Sequence, residues 1–160
     1  MGEVLLDTSF LMAMANRPIR GMERLEINLG RVEFLIPDVV VHELERIAGE
    51  GIGVRGVKRA KEAKAALQII GDRAFRFRII ALGRSVKGGE DSGGGSGSGS
   101  GNGNGNGSGG SGYAVDDLIV GYAESMRCYV ATLDKGMIRR LRGRCAGIVT
   151  LQDDALTILI

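Results

Sequence analysis

The sequence has few of the residues that zinc sites and nucleophilic enzymes need. It contains one histidine, two cysteines and no tryptophan among 160 residues. Cys128 and Cys145 form no CxxC pair, so a structural zinc site is not expected. His42 is the single histidine, and no partner for a catalytic triad is evident near it in the sequence. Zinc chemistry and Ser, Cys or His nucleophiles are therefore disfavoured.

Long apolar runs are also missing, and no segment approaches the length needed to span a bilayer. The N-terminus, MGEVLLDTSF, lacks the basic and apolar regions of a secretory signal. We therefore expect a cytoplasmic protein with two free thiols and no membrane contact. The net charge of +2 and pI near 8.7 are too weakly basic to establish nucleic-acid binding. The scarcity of Asn and Gln outside residues 92–112 is a weak indication of a thermophilic source.

Short apolar runs alternate with amphipathic segments along the chain. This pattern predicts an α/β fold, a three-layer α/β/α sandwich around a mostly parallel sheet, in one domain over residues 1–160. We expect Asp38 to cap the third helix. The predicted strands are 3–6, 32–36, 75–82, 129–133, 148–151 and the edge strand 155–160; the predicted helices are 8–16, 20–29, 39–48, 54–70, 115–126 and 135–141.

Residues 92–112 consist of Gly, Ser and Asn alone. Because no apolar group is present to offset the entropy of ordering, this tract is expected to be a flexible loop. Its root-mean-square span would be about 25 Å. The composition fits a natural low-complexity insertion and an engineered linker equally well. It lacks the context of a phosphate-binding glycine loop.

Four acidic residues stand at positions where a parallel sheet places ligands. Asp7 follows the first strand and Asp134 the fourth, at the carboxyl ends where ligands bind in such sheets. Glu43 and Asp116 each lie at the edge of the apolar face of a predicted helix. Carboxylates brought together repel one another unless a cation lies between them. The pattern therefore favours a divalent-metal site and phosphate chemistry.

Each acid also has an ordinary structural interpretation. Asp7 and Asp134 are good helix N-caps, and Glu43 is equally consistent with a solvated helix charge. We expect Thr8 or Ser9 to cap the first helix, which would leave Asp7 free for chemistry.

Two further polar residues are auxiliary candidates. Thr132 precedes Asp134 by two residues and is able to hydrogen-bond a carboxylate or a phosphate. Asp117 is expected to face away from Asp116, as a helper or as a charge at the helix N-terminus. The apolar stripe of that helix is predicted to bury Val115, Ile119, Tyr122, Ala123 and Met126.

Four sequence segments resemble the motifs of the PIN-domain family. They are LLDTSFLM, PDVVVHELERI, DDLIVGYA and VATLD, which occur in the family's order and span nearly the whole chain apart from the Gly/Ser/Asn tract. The most similar subgroups are archaeal proteins related to ribosomal-RNA-processing nucleases, followed by VapC-type toxins. The resemblance implies Mg²⁺ or Mn²⁺ as cofactor and hydrolysis of RNA. It implies metal binding by Asp7, Glu43, Asp116 and Asp134, with Thr8, Asp117 and Thr132 as auxiliary residues.

An RNA substrate requires a basic approach surface, and two groups of residues are candidates. They are Arg55, Lys58, Arg59, Lys61 and Lys64 on one helix, and Lys135, Arg139, Arg140, Arg142 and Arg144 near the fourth acid. Solvated helix faces would have the same appearance. An antitoxin, a ribosome-assembly partner or a second copy of the chain are further expected partners.

Two other functions compete with the nuclease. A non-catalytic RNA-binding or ribosome-assembly module would share the fold. A phosphatase or phospho-acceptor domain would also place Asp after strand one. The sequence DTS lacks the second Asp that a haloacid-dehalogenase-type site needs, which disfavours that class.

Overall fold

A computed structural model of the protein describes residues 2–72, 77–83 and 114–160. In chain order the elements are β1 (Gly2–Leu6), α1 (Thr8–Asn16), α2 (Met22–Leu29), β2 (Val32–Pro37), α3 (Asp38–Gly49), α4 (Gly53–Gly71), β3 (Phe77–Ile80), α5 (Val115–Met126), β4 (Tyr129–Ala131), α6 (Lys135–Leu141), β5 (Gly147–Gln152) and β6 (Ala155–Leu159). The tract 92–112 lies outside the described residues. Its flexibility, and the assignment of the whole chain to one domain, stay predictions.

The six strands form one sheet in the order β3-β2-β1-β4-β5-β6. Strands β1 to β5 pair in parallel, and β6 pairs antiparallel with β5 at one edge. β1 is central, and its residues Val4, Leu5 and Leu6 are fully buried. A parallel strand covered on both faces explains this continuous apolar run. The predicted α/β class with a mostly parallel sheet is confirmed, as is the edge position of the last strand.

Helix α2 begins two residues later than the periodicity predicts. Arg20 is extended and bridges to the β6 side of the sheet: its N–H donates to the Asp154 carbonyl, and its own carbonyl accepts from the Leu156 N–H, both at 2.9 Å. Gly21 follows in the left-handed region with φ of +89°, a conformation that glycine adopts at low cost. The backbone therefore turns into α2 only at Met22.

Two other expectations are corrected at the strands and at α5. β4 ends at Ala131 rather than at residue 133, because the Leu133 N–H donates to the Ser9 hydroxyl at 3.0 Å instead of to a neighbouring strand. β3 is described over Phe77–Ile80, and residues 75 and 76 of its predicted span lie outside the described ranges. Met126 is 54% exposed, not buried, since it ends its helix.

The cysteines are the two free thiols that the sequence predicts. Cys128 is buried, and burial raises the pKa of its thiol to about 11. The thiol is therefore protonated at neutral pH and behaves as a small apolar core residue. Among the helices of the described ranges, none combines the length and apolarity that a bilayer crossing requires.

Asp38 does not cap α3 as predicted. Pro37 is at the cap position, and Asp38 is the first helical residue. Its Oδ1 accepts three backbone N–H groups, from Val39 at 2.9 Å, Leu82 at 2.8 Å and Gly83 at 3.1 Å. One carboxylate oxygen thus ties the start of α3 to the chain that follows β3.

This arrangement predicts an acid-sensitive contribution to stability. Burial raises the pKa of Asp38, but the three N–H donors and the charge of His42 lower it by more, and the net pKa lies below the ordinary 3.8. The contribution is therefore complete above pH 3.8 and is lost as the pH falls through the lower folded-state pKa. Asp38→Asn should reduce the free energy of unfolding by about 1 kcal/mol at pH 7, with the difference from wild type shrinking below pH 4. Urea titrations from pH 7 to below pH 4 measure the difference in free energy of unfolding between Asp38→Asn and wild type, with the exposed Asp153→Asn as control. A difference that does not change with pH would contradict this role of the Asp38 carboxylate.

Candidate metal centre

Asp7 lies at the carboxyl end of β1 and is 5% exposed. Its side chain caps α1, because Oδ1 accepts the Thr8 N–H at 2.7 Å. The expectation that Thr8 or Ser9 performs this role is wrong, since both hydroxyls have other partners. Capping occupies one carboxylate oxygen, so Asp7 is a helix cap and still carries a second oxygen for other contacts.

Two hydroxyl groups donate to that second oxygen. Ser9 Oγ lies 2.6 Å from Asp7 Oδ2, and Thr132 Oγ1 lies 2.8 Å from it. Thr132 is fully buried and also accepts the Asp134 N–H at 3.1 Å. Ser9 and Thr132 therefore join the carboxyl ends of β1 and β4 around the Asp7 carboxylate. The sequence predicts Thr132 as an auxiliary residue and Ser9 only as a helix cap.

Thr8 connects Asp7's helix to Glu43. The buried Thr8 hydroxyl donates a hydrogen bond to Oε2 of Glu43, which lies half-buried on α3. Glu43 is therefore not a freely solvated charge, and its side chain is held next to the first turn of α1. Thr8 therefore contacts one of the predicted ligands, and its auxiliary role in the site stays a prediction.

Asp134 caps α6, as its ordinary interpretation predicts. Its Oδ1 accepts the Met137 N–H at 2.9 Å. A Cβ at Gly136 would lie 2.9 Å from the same oxygen, so the glycine leaves room for this carboxylate. Oδ2 of Asp134 accepts no hydrogen bond from the described part of the chain and faces an exposed environment.

Asp116 and Asp117 share one arginine from α6. Arg140 donates through Nη2 to Oδ1 of Asp117, and its Nη1 lies 4.0 Å from Oδ2 of Asp116. The prediction that Asp117 faces away from Asp116 is therefore wrong, because a single planar guanidinium spans both carboxylates. Arg140 was predicted among the RNA-binding residues, not as a partner of these acids.

The four predicted acids are electrostatically coupled. Burial raises the pKa of Asp116, and the negative charges of Asp7, Asp134 and Glu43 raise it further, whereas Arg140 lowers it. The net upward shift of this pKa means that burial and the neighbouring acids disfavour the charged form of Asp116. A cation bound among them would relieve this repulsion.

The carboxylates are nevertheless not gathered into a ready-made cage. Across residues 2–72, 77–83 and 114–160, no three His, Cys, Asp or Glu side chains are grouped closely enough to hold a metal ion. Asp134 is engaged with its helix, and Asp116 lies beside Arg140. Side-chain rotation at these two positions is what a shared ion would require.

No family model matches the sequence, and no curated protein matches it either. Solved structures do match. One is the PIN domain endonuclease Utp24, with a TM-score of 0.59 and 22% identity over 99% of this chain and 92% of that chain. The chain has the PIN-domain fold. A domain of a functionally unknown protein from Methanocaldococcus jannaschii DSM 2661 is also similar, with a TM-score of 0.51 and 15% identity over 95% of this chain and 92% of that one.

The donor set at this edge of the PIN fold suits a hard divalent cation. All four predicted ligands are carboxylates, and oxygen ligands select Mg²⁺ or Mn²⁺ over soft metals. Asp7 is the best ordered of them, since three donors fix both of its oxygens. The chemistry of the residues present therefore fits such an ion: Asp7 and Glu43 are already held by hydrogen bonds, and Asp116 and Asp134 would bind it after their side chains rotate.

The predicted basic residues are all exposed, which suits contact with a polyanion without demonstrating it. On α4 they are Arg55, Lys58, Arg59, Lys61 and Lys64, and near the fourth acid they are Lys135, Arg139, Arg140, Arg142 and Arg144. His42 is also exposed and contacts Glu45 at 3.2 Å, a contact that involves none of the four predicted acids.

Proposed function

We propose that this protein is a metal-dependent endoribonuclease that hydrolyses phosphodiester bonds in RNA. The observation that carries the proposal is the approach of acids from four separate segments of the chain. Asp7 is buried at the carboxyl end of β1, and Glu43 is held beside its helix by the Thr8 hydroxyl. Besides burial, the charges of Asp7, Asp134 and Glu43 raise the pKa of Asp116. The similarity in fold to the PIN domain endonuclease Utp24 supports a nuclease in particular.

In this proposal Asp7, Glu43, Asp116 and Asp134 hold Mg²⁺ or Mn²⁺. A bound ion of this kind lowers the pKa of a water molecule and stabilises negative charge on the phosphate. No Ser, Cys or His nucleophile is then needed, and in the described part of the chain the exposed His42 contacts Glu45 and no Ser or Cys side chain.

The chain's own residues prepare the site through hydrogen bonds. Ser9 and Thr132 fix the rotation of the Asp7 carboxylate, and Thr8 fixes Glu43. Because these donors come from hydroxyl and backbone groups, they add no positive charge that would compete with a cation. Groups that are preorganised in this way cost little reorganisation during the reaction.

Within this function we propose a role in ribosomal-RNA processing, following the motif resemblance, with a VapC-type toxin as the alternative. An antitoxin partner would accompany the toxin role, and a ribosome-assembly partner the processing role. A homodimer fits either, and a cytoplasmic location fits both.

A non-catalytic RNA-binding module is the second candidate, and one observation favours it. The acids are not clustered closely enough to form a cage in the described parts of the chain, and Arg140 neutralises part of the charge at Asp116 and Asp117. Such a module would bind RNA with or without metal.

Cleavage of an end-labelled structured RNA in Mn²⁺, Mg²⁺ or EDTA separates the two candidates. We expect cuts that require the metal, return when metal is restored after EDTA, and are missing with the Asp7→Asn/Asp116→Asn double variant. RNA binding without any cleavage under these conditions would favour the module. Cleavage that persists in EDTA would overturn the metal-dependent mechanism.

A further inference from the structure

We propose that Arg140 is a further catalytic residue of this site, a ligand for the phosphate under attack, and that Asp117 is the residue that positions it. The proposal rests on the endoribonuclease function above. It differs from a general basic surface because it assigns one arginine to the reacting phosphate rather than to the approach of RNA.

The contacts of Arg140 distinguish it from its neighbours. Among the lysines and arginines of the described ranges, no other forms an ion pair with any of the four proposed metal ligands; Arg140 does so with Asp116 at 4.0 Å. Arg139, next to it on α6, is exposed and has no hydrogen bond or ion pair with a described residue. Arg144 pairs instead with Glu124 at 3.9 Å. Arg140 therefore lies at the acid site itself.

The guanidinium has donors to spare in this position. It carries five N–H groups, and Asp117 receives one hydrogen bond. Its planar fork matches two oxygens of a phosphate, a geometry that a lysine ammonium does not supply. A phosphate bound against a cation beside Asp116 would meet the unused N–H groups of Arg140 and receive positive charge from two sides.

A purely structural role for Arg140 is a weak explanation of this geometry. The Arg140 side chain is 43% exposed and that of Asp117 is 48% exposed, and ion pairs this accessible contribute little to stability. Helices α5 and α6 both contribute buried apolar residues to the core, among them Ile119 and Ala123 of α5 and Met137 and Leu141 of α6. The fold therefore has other means of holding these helices together.

The test compares Arg140→Gln with the control Arg17→Gln, using the full chain and a short labelled RNA. Arg17 is also an exposed arginine paired with an aspartate, Asp154, and it belongs to neither the acid site nor the two basic groups. We expect Arg140→Gln to lower kcat about 100-fold with KM changed less than about threefold, and Arg17→Gln to change kcat less than about twofold. Arg140→Lys and Asp117→Asn should each lower kcat about tenfold. The first keeps the positive charge but loses the planar guanidinium, and the second keeps the arginine but removes the carboxylate that positions it.

Mn²⁺ affinity, measured from the electron paramagnetic resonance signal of the free ion, should be unchanged or higher in Arg140→Gln, because a cation has been removed from the site.

Each outcome decides between the two proposals. Wild-type protein without metal-dependent cleavage would overturn the nuclease function and this inference with it. Active wild type with equal kcat for Arg140→Gln and Arg17→Gln would overturn the inference alone. Weaker Mn²⁺ binding in Arg140→Gln, in step with kcat, would also overturn it, since the arginine would then act on the metal site. If Arg140→Gln has a lower melting temperature than wild type, kcat of Arg140→Lys becomes the deciding measurement. A wild-type kcat for Arg140→Lys would contradict contact between the Arg140 guanidinium and the phosphate.

Discussion

Asp7→Asn should lower metal-dependent RNA cleavage at least about 10³-fold while leaving the protein folded. The substitution removes the negative charge of the most buried of the four acids and keeps the shape of the side chain. The asparagine carbonyl can still accept the Thr8 N–H and cap α1, and the Ser9 and Thr132 hydroxyls can reverse to accept from its amide. The loss should therefore fall on catalysis rather than on stability.

The matched control for this change is Asp153→Asn. Asp153 is exposed in the β5–β6 turn with φ of +50°, a left-handed conformation that asparagine also tolerates. Single-turnover cleavage in saturating Mn²⁺ and a thermal melt should be recorded for both variants. Wild-type cleavage by folded Asp7→Asn would contradict the proposed site. If Asp7→Asn does not fold, the Asp7 carboxylate is needed for the stability of α1.

The order of elements was predictable because burial leaves a direct trace in the sequence. Val4, Leu5 and Leu6 read as an uninterrupted apolar run because β1 has neighbours on both edges and cover on both faces. Helices α5 and α6 have the predicted bounds because their apolar residues repeat with the helical period. Boundaries set by long-range contacts were not predictable, as at Arg20, which bridges to Ala155.

Within the candidate site, the sequence pointed to the acids and to Thr8 and Thr132, but not to the contacts of Ser9 or to the pairing of Arg140 with Asp117. Carboxylates that follow apolar strands stand out in a sequence, whereas a serine near a helix start does not. Ser9 donates to the nearby Asp7, but its hydroxyl also lies 3.4 Å from Thr132 Oγ1 and accepts the Leu133 N–H, and these two residues are 123 and 124 positions away in the chain. Arg140 likewise meets Asp117 across 23 residues and two elements. Local pattern carries no signal for such contacts, since they depend on how strands and helices pack.

For Asp7 and Asp134, helix capping and ligand binding do not exclude each other. A carboxylate has two oxygens, and in both residues Oδ1 caps a helix, which leaves Oδ2 for other contacts, as the Ser9 and Thr132 hydroxyls make with Asp7. Helix capping and ligand binding are therefore compatible uses of one side chain, particularly where a helix starts directly after a parallel strand.

Leu5→Ala should produce the largest loss of stability among the changes considered. Leu5 is fully buried in the central strand, in register with Leu35 on one side and Val130 on the other, and all three are inaccessible to solvent. The surrounding sheet cannot collapse into the space without breaking these pairings. We expect the free energy of unfolding to fall by about 2–5 kcal/mol, and the melting temperature by about 5–15 °C.

Ile27→Ala is the matched control, because it removes the same number of carbons from a side chain that is 80% exposed on α2. Its free energy of unfolding should change by less than about 0.5 kcal/mol. Urea titration of both variants measures this difference in the free energy of unfolding, and a change below about 1 kcal/mol for Leu5→Ala would contradict the packing around β1.

The RNA cleavage rate of Leu5→Ala, measured well below its melting temperature, tests whether the same packing affects the acid site. The hydrogen bonds that fix Asp7 come from Thr8, Ser9 and Thr132, so kcat of folded Leu5→Ala should stay near wild type. A large fall in kcat would instead mean that packing beneath β1 also sets the geometry of the acids at its end.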